Sequence, residues 1–240
     1  MAATGNDKLA VLIDADNAQA SVIHELLAEV SRYGTASVKR AYGDWTTTNL
    51  KSWKEVLHKM AIQPMQQFSY TTGKNSTDSS LIIDAMDLLH AGSLNGFCLV
   101  SSDSDFTRLA TRIREAGLVV FGFGERKTPA PFVAACDKFI YTEILKSPQP
   151  APALEVEGPE PLEPMIRTAV MATVRDNGWA ALSAVGSMLV KNSPSFDPRN
   201  YGCQKLGELV RGQSYLEVKD VPVGDGSTNV HVHARFRVPS

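Results

Sequence analysis

The sequence has few cysteines and no close pair of them. Cys98, Cys136 and Cys203 are isolated and odd in number, and no Cys-x-x-Cys occurs. That argues against a disulfide framework and against a structural zinc site. No apolar run approaches the roughly 20 residues that a bilayer-spanning helix needs. The opening residues, Met1 to Lys8, are polar and lack the basic-then-apolar order of a secretory leader. These absences predict no membrane association and a reducing cytoplasm as the location. An excess of one charge is missing as well. A net charge of −2 over 240 residues excludes a basic coat spread along nucleic acid. Internal repeats are also missing. Hydrophobic residues at 43% and charged residues at 21% are an ordinary globular balance. The length suits one large domain or two modest ones.

Charge is uneven along the chain. From Glu163 to Ser240 there are nine Lys/Arg against seven Asp/Glu, so the remainder carries the acidic excess. An acidic part beside a mildly basic one fits a metal site joined to a binding module. The stretch Ser147–Pro164 holds six prolines and four glutamates. Proline fixes φ and removes backbone donors, and like charges repel, so this stretch reads as an extended linker. The expected domains are therefore 1–146 and 165–240.

Before the linker, short apolar runs alternate with helical patterns. Strands are predicted at Leu9–Asp14, Ala36–Tyr42, Ile62–Tyr70, Phe97–Ser101 and Leu118–Phe123, with a sixth from Phe139 to Tyr141. Helices are predicted near Ala18–Tyr33, Thr48–Met60, Ser79–His90 and Asp105–Ala116. Near-continuous apolar strands separated by helices indicate an α/β fold, a parallel sheet covered on both faces. After the linker, helices are expected at Met165–Asp176, closed by Asn177-Gly178, at Ala181–Val190 and at Gly202–Val210. Tyr215–Lys219 and Val230–Val238 read as a hairpin around Gly224-Asp225-Gly226-Ser227. Three helices and a two-stranded wing are the layout of a winged helix-turn-helix.

The aspartates carry the chemistry. Open parallel sheets bind ligands outside the carboxyl ends of their strands. Asp14 and Asp16 sit at such an end in LIDADN, and Asp103 and Asp105 at another in LVSSDSDF. Strands one and four of a doubly wound sheet commonly flank the crevice, so the two pairs are expected to converge. Asp78 precedes Leu81 and Ile82 by three and four residues and shares their inward helix face; Asp84 lies between Leu81 and Leu88 in the same stripe. A carboxylate on a core-facing stripe is costly unless compensated, and a divalent cation would compensate it. Oxygen-only donors favour Mg²⁺ or Mn²⁺ over zinc. Asp78, Asp16 and Asp105 also suit helix caps, whereas Asp14 and Asp103 end strands with no capping duty evident. Lys74, just ahead of Asp78, reads either as a phosphate contact or as a solvated loop lysine. Metal ions about 3.5–4 Å apart could both activate water and neutralise the charge that develops in phosphodiester hydrolysis.

In LIDADN, in the Lys74–Asp84 pattern K-x-x-x-D-x-x-L-x-x-D and in SSDSDF, the sequence resembles the NYN family, LabA-like nucleases related to PIN domains. The resemblance spans about Lys8 to Leu145. It implies a PIN-like fold, a ribonuclease activity dependent on Mg²⁺ or Mn²⁺, and acidic ligands at Asp14, Asp78, Asp103 and Asp105, with Asn17 and Asp84 in support. Phe196-Asp197-Pro198-Arg199-Asn200-Tyr201-Gly202, followed by Lys205-Leu206 and Leu209, is similar to the LOTUS or OST-HTH domain. Cys203 stands where that family often has an aromatic residue. This second resemblance implies RNA binding, or recruitment of a protein partner or a second copy. On the last strand Val230, Val232, Ala234, Phe236 and Val238 face one way, and His231, His233, Arg235 and Arg237 the other. A basic wing face suits phosphate contact, and it equally suits an ordinary solvated surface.

Three functions remain open on sequence. The preferred one is a metal-dependent ribonuclease whose C-terminal module selects RNA. A non-catalytic RNA-binding regulator is the second. The third is an aspartyl phosphatase, since Asp14-Ala-Asp16 resembles the D-x-D start of haloacid-dehalogenase-like enzymes, although Ala18 stands where those have Thr or Val. The composition yields one direct expectation. A fragment ending at Lys146 should fold alone, and limited proteolysis of the whole chain should cut first within Ser147–Pro164. Protection of that stretch while other sites are cut would contradict the linker.

Overall fold

The computed structural model describes residues 7–67, 76–146, 161–222 and 230–236. The chain divides into two compact units, Met1–Leu154 and Glu155–Ser240. Among the described residues, no helix is long and apolar enough to cross a membrane.

The first unit is built on a six-stranded, wholly parallel sheet in the order β3-β2-β1-β4-β5-β6. The strands are β1 Lys8–Asp14, β2 Thr35–Gly43, β3 Gln63–Gln66, β4 Gly96–Val100, β5 Val119–Gly124 and β6 Lys138–Tyr141. Between them run α1 Ile23–Val30, α2 Trp53–Lys59, α3 Ser76–His90, α4 Thr107–Glu115 and α5 Ala130–Ala135. Adjacent β1 and β4 mark the point where strand order reverses, the place at which open α/β sheets bind their ligands.

Alternation along β1 decides what faces which layer. Leu9, Val11 and Ile13 pack with Ile23, Leu26 and Val30 of α1 and with Trp53 and Leu57 of α2. Ala10 and Leu12 pack with Leu81, Ala85 and Leu89 of α3, with Leu109 and Ile113 of α4 and with Phe132 of α5. Every residue of β1 beyond Lys8 is buried, so the strand reads as an unbroken apolar run that ends in one charge. Asp14 has the parity of Ala10 and Leu12. Its side chain therefore faces the layer of α3, the helix that carries Asp78 and Asp84.

Several elements differ from their sequence reading, each for a physical reason. The helix expected from Ala18 is a 3₁₀ turn, Ala20–Val22, leading into the shorter α1. α5 is not foreseen, because Pro129 and Pro131 read as loop; proline is tolerated in a first turn, whose N–H groups lack partners in any case. The same tolerance lets α6, Leu162–Thr173, start inside the proline-rich stretch, with Pro164 in its first turn. β4 stops at Val100, so Asp103 and Asp105 follow the strand rather than end it. The part of the third predicted strand from Phe68 to Tyr70 lies outside the described residues.

In the second unit α6, α7 Leu182–Asn192 and α8 Leu206–Arg211 enclose a core of Ile166, Val170, Val185, Leu189, Phe196 and Leu209. A three-stranded antiparallel sheet covers it in the order β7-β9-β8. Its strands are β7 Ala180–Ala181, β8 Leu216–Pro222 and β9 Val230–Phe236. Asn177-Gly178 does not close α6. That helix ends at Thr173; Gly178, at φ +75°, turns the chain so that Val174 bridges Ala180 and starts the sheet. Gly224–Ser227 lies outside the described residues.

Gly122 illustrates how tightly the first unit is packed. A Cβ there would fall 2.4 Å from Phe139 Cδ2 and 2.7 Å from Cys136 Sγ. Gly122→Ala should therefore destabilise the first unit by about 1–3 kcal/mol through overpacking. Urea denaturation should show a lower midpoint at unchanged slope; an unshifted midpoint would mean that this core gives way more easily than the distances imply.

Candidate metal centre

The site is assembled at the carboxyl ends of β1 and β4. Asp14 is fully buried. Its Oδ2 accepts from Asn17 Nδ2 at 2.7 Å and from Ser101 Oγ at 2.8 Å; its Oδ1 accepts only a 3.3 Å contact from the Asn17 backbone. Ser101, itself buried, also accepts from the Asp103 backbone N–H at 3.1 Å. Asp103 in turn caps the 3₁₀ turn Ser104–Phe106, its Oδ1 accepting from Asp105 N at 2.9 Å. A capping duty for Asp103, read as absent from sequence, is therefore present. It occupies Oδ1 alone. Serine and backbone amides thus tie the end of β1 to the loop after β4 in one connected series.

Asp78 enters from the first turn of α3. One carboxylate oxygen each from Asp78, Asp103 and Asp105 lie within 4.8 Å of one another. Burial, followed by the negative charges of Asp14, Asp103, Asp105 and Asp16, raises the Asp78 pKa from 3.8 to about 6. Asp14 is raised as well, by burial first, with the donors Asn17 and Ser101 opposing. The geometry therefore brings Asp78, Asp103 and Asp105 together, with Asp14 and its partner Asn17 next to them but outside that 4.8 Å group. Hard oxygen donors crowded at like charge are the donor set that Mg²⁺ or Mn²⁺ prefers, so the residues fit such a cation.

Other expected members lie elsewhere. Asp84 accepts from the Arg40 guanidinium and the Tyr42 hydroxyl, both reaching over from β2. Its inward position is thus compensated by an arginine, which removes the reason for assigning it to a cation. Lys74 and Arg237 lie outside the described residues. Arg235 is ion-paired to Glu217 at 2.8 Å, and its guanidinium sits 4.4 Å above the Trp179 ring, which Lys219 also approaches at 4.0 Å. Arg235 and Lys219 thus share one aromatic ring, the first partly exposed and the second exposed, and the His231 side chain lies outside the described residues. Ser101 belongs to the SSDSDF motif, yet the sequence reading assigns it no role; a serine just after a buried strand and two residues before an aspartate is the available signal.

A family model described as NYN domain matches residues 8–145, and one described as OST-HTH/LOTUS domain matches residues 159–228. No curated protein matches. Among solved structures, the chain is similar to a protein of unknown function from Vibrio parahaemolyticus at 19% identity and TM-score 0.48, covering 58% of this chain and 94% of that one. It is also similar to an uncharacterized protein from Nitrosomonas europaea, at 31% identity and TM-score 0.30, covering 40% of this chain and 92% of that one. A protein from Chromobacterium violaceum is 39% identical at TM-score 0.28, covering 36% of this chain and 91% of that one.

The raised Asp78 pKa has a measurable sign. Without metal, the folded protein keeps this proton up to about pH 6, while the unfolded chain releases it near 3.8. Folding is therefore progressively disfavoured as pH climbs between those values. Asp78→Asn should remove that loss. In EDTA its Tm should exceed wild type by roughly 2 °C at neutral pH, a small gap because solvent screens a half-exposed group. The gap should close near pH 4. A wild type that is the more stable at neutral pH would contradict the crowding.

Proposed function

Because the chain belongs to the NYN domain family, we propose that it is a metal-dependent ribonuclease that hydrolyses RNA phosphodiester bonds, with its second unit as the RNA-binding module. The two domain types support a nuclease joined to an RNA-binding module. The observation that carries the metal-dependent reading is the trio Asp78, Asp103 and Asp105 within 4.8 Å, set beside buried Asp14. A cytoplasmic setting fits the three unpaired cysteines.

Asp14, Asp78, Asp103 and Asp105 would hold Mg²⁺ or Mn²⁺. When bound, the ion supplies an activated water and neutralises charge building on the phosphate. The protein's contribution is to keep the ligands immobile. Ser101 and Asn17 occupy Asp14 Oδ2, so Oδ1 is the oxygen left to face a cation. The Asp105 amide occupies Asp103 Oδ1 and leaves Oδ2. Asn17 is thus a positioning residue, as is Ser101. Lys74, four residues before Asp78 in the sequence, is proposed as a phosphate contact. In the second unit Arg235, Arg237 and Lys219 present positive charge to the RNA backbone, and the Trp179 ring holds Arg235 and Lys219 in place. The same unit could instead take a protein partner or a second copy.

Labelled single-stranded RNA incubated with Mn²⁺, Mg²⁺ or EDTA tests this directly. Wild type should cleave with either metal and not with EDTA. Asp14→Asn and Asp103→Asn should each reduce cleavage at least about 100-fold while staying folded. Ser101→Ala should reduce it roughly 10–100-fold, the usual cost of removing an outer partner of a metal ligand. RNA binding without metal-dependent cleavage would favour the regulator reading, and undiminished cleavage by either aspartate variant would remove the site.

Division of labour has its own test. The fragment ending at Lys146 should still cleave short oligonucleotides at saturating concentration. Its RNA affinity should fall less steeply with salt than that of the whole chain, the log–log slope easing by about 0.7 for each phosphate that is no longer neutralised. Arg235→Ala in the whole chain should reproduce part of that change. An identical slope in fragment and whole chain would reassign the second unit to protein recruitment or self-association.

A further inference from the structure

On the opposite side of β1 from the aspartate trio, the loops after β1 and β2 enclose a groove of about 570 Å³. That is within the usual range for small-molecule sites. Its polar lining is Asp16, Gln19, Ser21, Asn49 and Ser52, and Ala18 and Ala20 supply apolar wall over buried Leu50 and Trp53. Among the described residues, no lysine or arginine lines it. Leu50 leans toward Gly43, where a Cβ would lie only 2.5 Å from Leu50 Cδ1, and Asp16 Oδ1 lies 3.7 Å from the same point. The Asp16 carboxylate therefore stands on the groove side of the rim, one residue beyond the loop position of Ala15 and two beyond buried Asp14. Trp53 and Leu50 are 2% and 4% exposed and fixed in the core, so the layer beneath the wall is rigid.

We propose that this groove takes one flipped-out guanine base of the RNA strand beside the scissile phosphate; the inference rests on the ribonuclease reading above. A phosphate is disfavoured there, because a carboxylate is present and none of the described lining residues is a lysine or arginine. A base suits it on two counts. Its flat face needs apolar wall, which the partly exposed Ala18 and Ala20 provide over the buried Leu50 and Trp53. Its edge needs hydrogen-bonding groups, and the side chains of Asp16, Asn49 and Ser52 supply them along the groove. Single-stranded RNA is read in this way, with unstacked bases hydrogen-bonded along their Watson–Crick edges. Guanine is selected because its N1–H and N2–H₂ are adjacent donors that one carboxylate can accept together. Uracil offers a single N–H between two carbonyls, which the Asp16 carboxylate repels. A good two-bond contact to a base typically discriminates by about tenfold or more.

Sequencing the ends produced from a random RNA pool, cleaved by the whole chain with Mn²⁺, tests this. Wild type should enrich guanosine over uridine about tenfold at one fixed position next to the cut. Asn49→Leu and Ser52→Leu each fill the groove at an exposed position. Ser52 precedes α2 without a side-chain capping bond, so its replacement costs the helix no cap. Both variants should still cut and should bring the enrichment below about twofold. Cleavage by wild type with no fixed guanosine, or enrichment kept in both variants, overturns the base site and leaves the nuclease reading standing. Absence of metal-dependent cuts by wild type overturns the nuclease reading and the base site with it.

Discussion

A buried carboxylate at the end of the central strand sets the terms for everything around it. Removing Asp14 from water disfavours its charge, and only hydrogen bonds or a cation can restore the balance. Ser101 and Asn17 supply the first, from a neighbouring strand end and from the turn that follows. Those two donors also fix where the turn can run and where the loop after β4 must lie. The amide of Asp103 bonds Ser101, and the amide of Asp105 bonds Asp103, so each member's position is inherited from the one before. The loop after β4 is thus tied to the end of β1 by Asp14 and to the end of β5 by its own backbone and by Ser102.

The topology adds a second consequence of that charge. Strand parity turns Asp14 toward α3, so the acidic residues collect on the side of β1 that α3 covers. Asp16, in the turn that follows, leans toward the other side. The same turn therefore serves two chemically different surfaces, one crowded with carboxylates and one mostly neutral. On β2 Arg40 and Tyr42 meet the remaining inward carboxylate, Asp84. Two aspartates on one helix thus receive opposite treatment: Asp84 is neutralised by an arginine, and Asp78 is left among its own kind.

The alternation of apolar strands and helices made the sheet legible, because strands buried on both faces cannot hide their composition. The burial of Asp14 was legible for a related reason: charge at the end of an apolar run has no structural explanation of its own. What escaped were effects that need a partner far away in sequence. Asp84 looked uncompensated because Arg40 lies 44 residues before it, on another strand. The capping role of Asp103 depends on where β4 stops, and the apolar pattern could not fix that to the residue. α5 and the first turn of α6 were hidden by proline, which breaks a helix interior yet suits its start. β7 is only Ala180–Ala181, too short to leave a period.

Trp179 bears on how the two units can be told apart. The chain has three tryptophans, and Trp45 and Trp53 both belong to the first unit. Trp179 is therefore the lone indole of the second, 8% exposed and flanked by the charges of Lys219 and Arg235. An indole's emission responds to nearby charge and to water. With Trp45 and Trp53 replaced by phenylalanine, fluorescence would become a private optical channel for the second unit, reporting its melting and any displacement of its two cations without contribution from the parallel sheet.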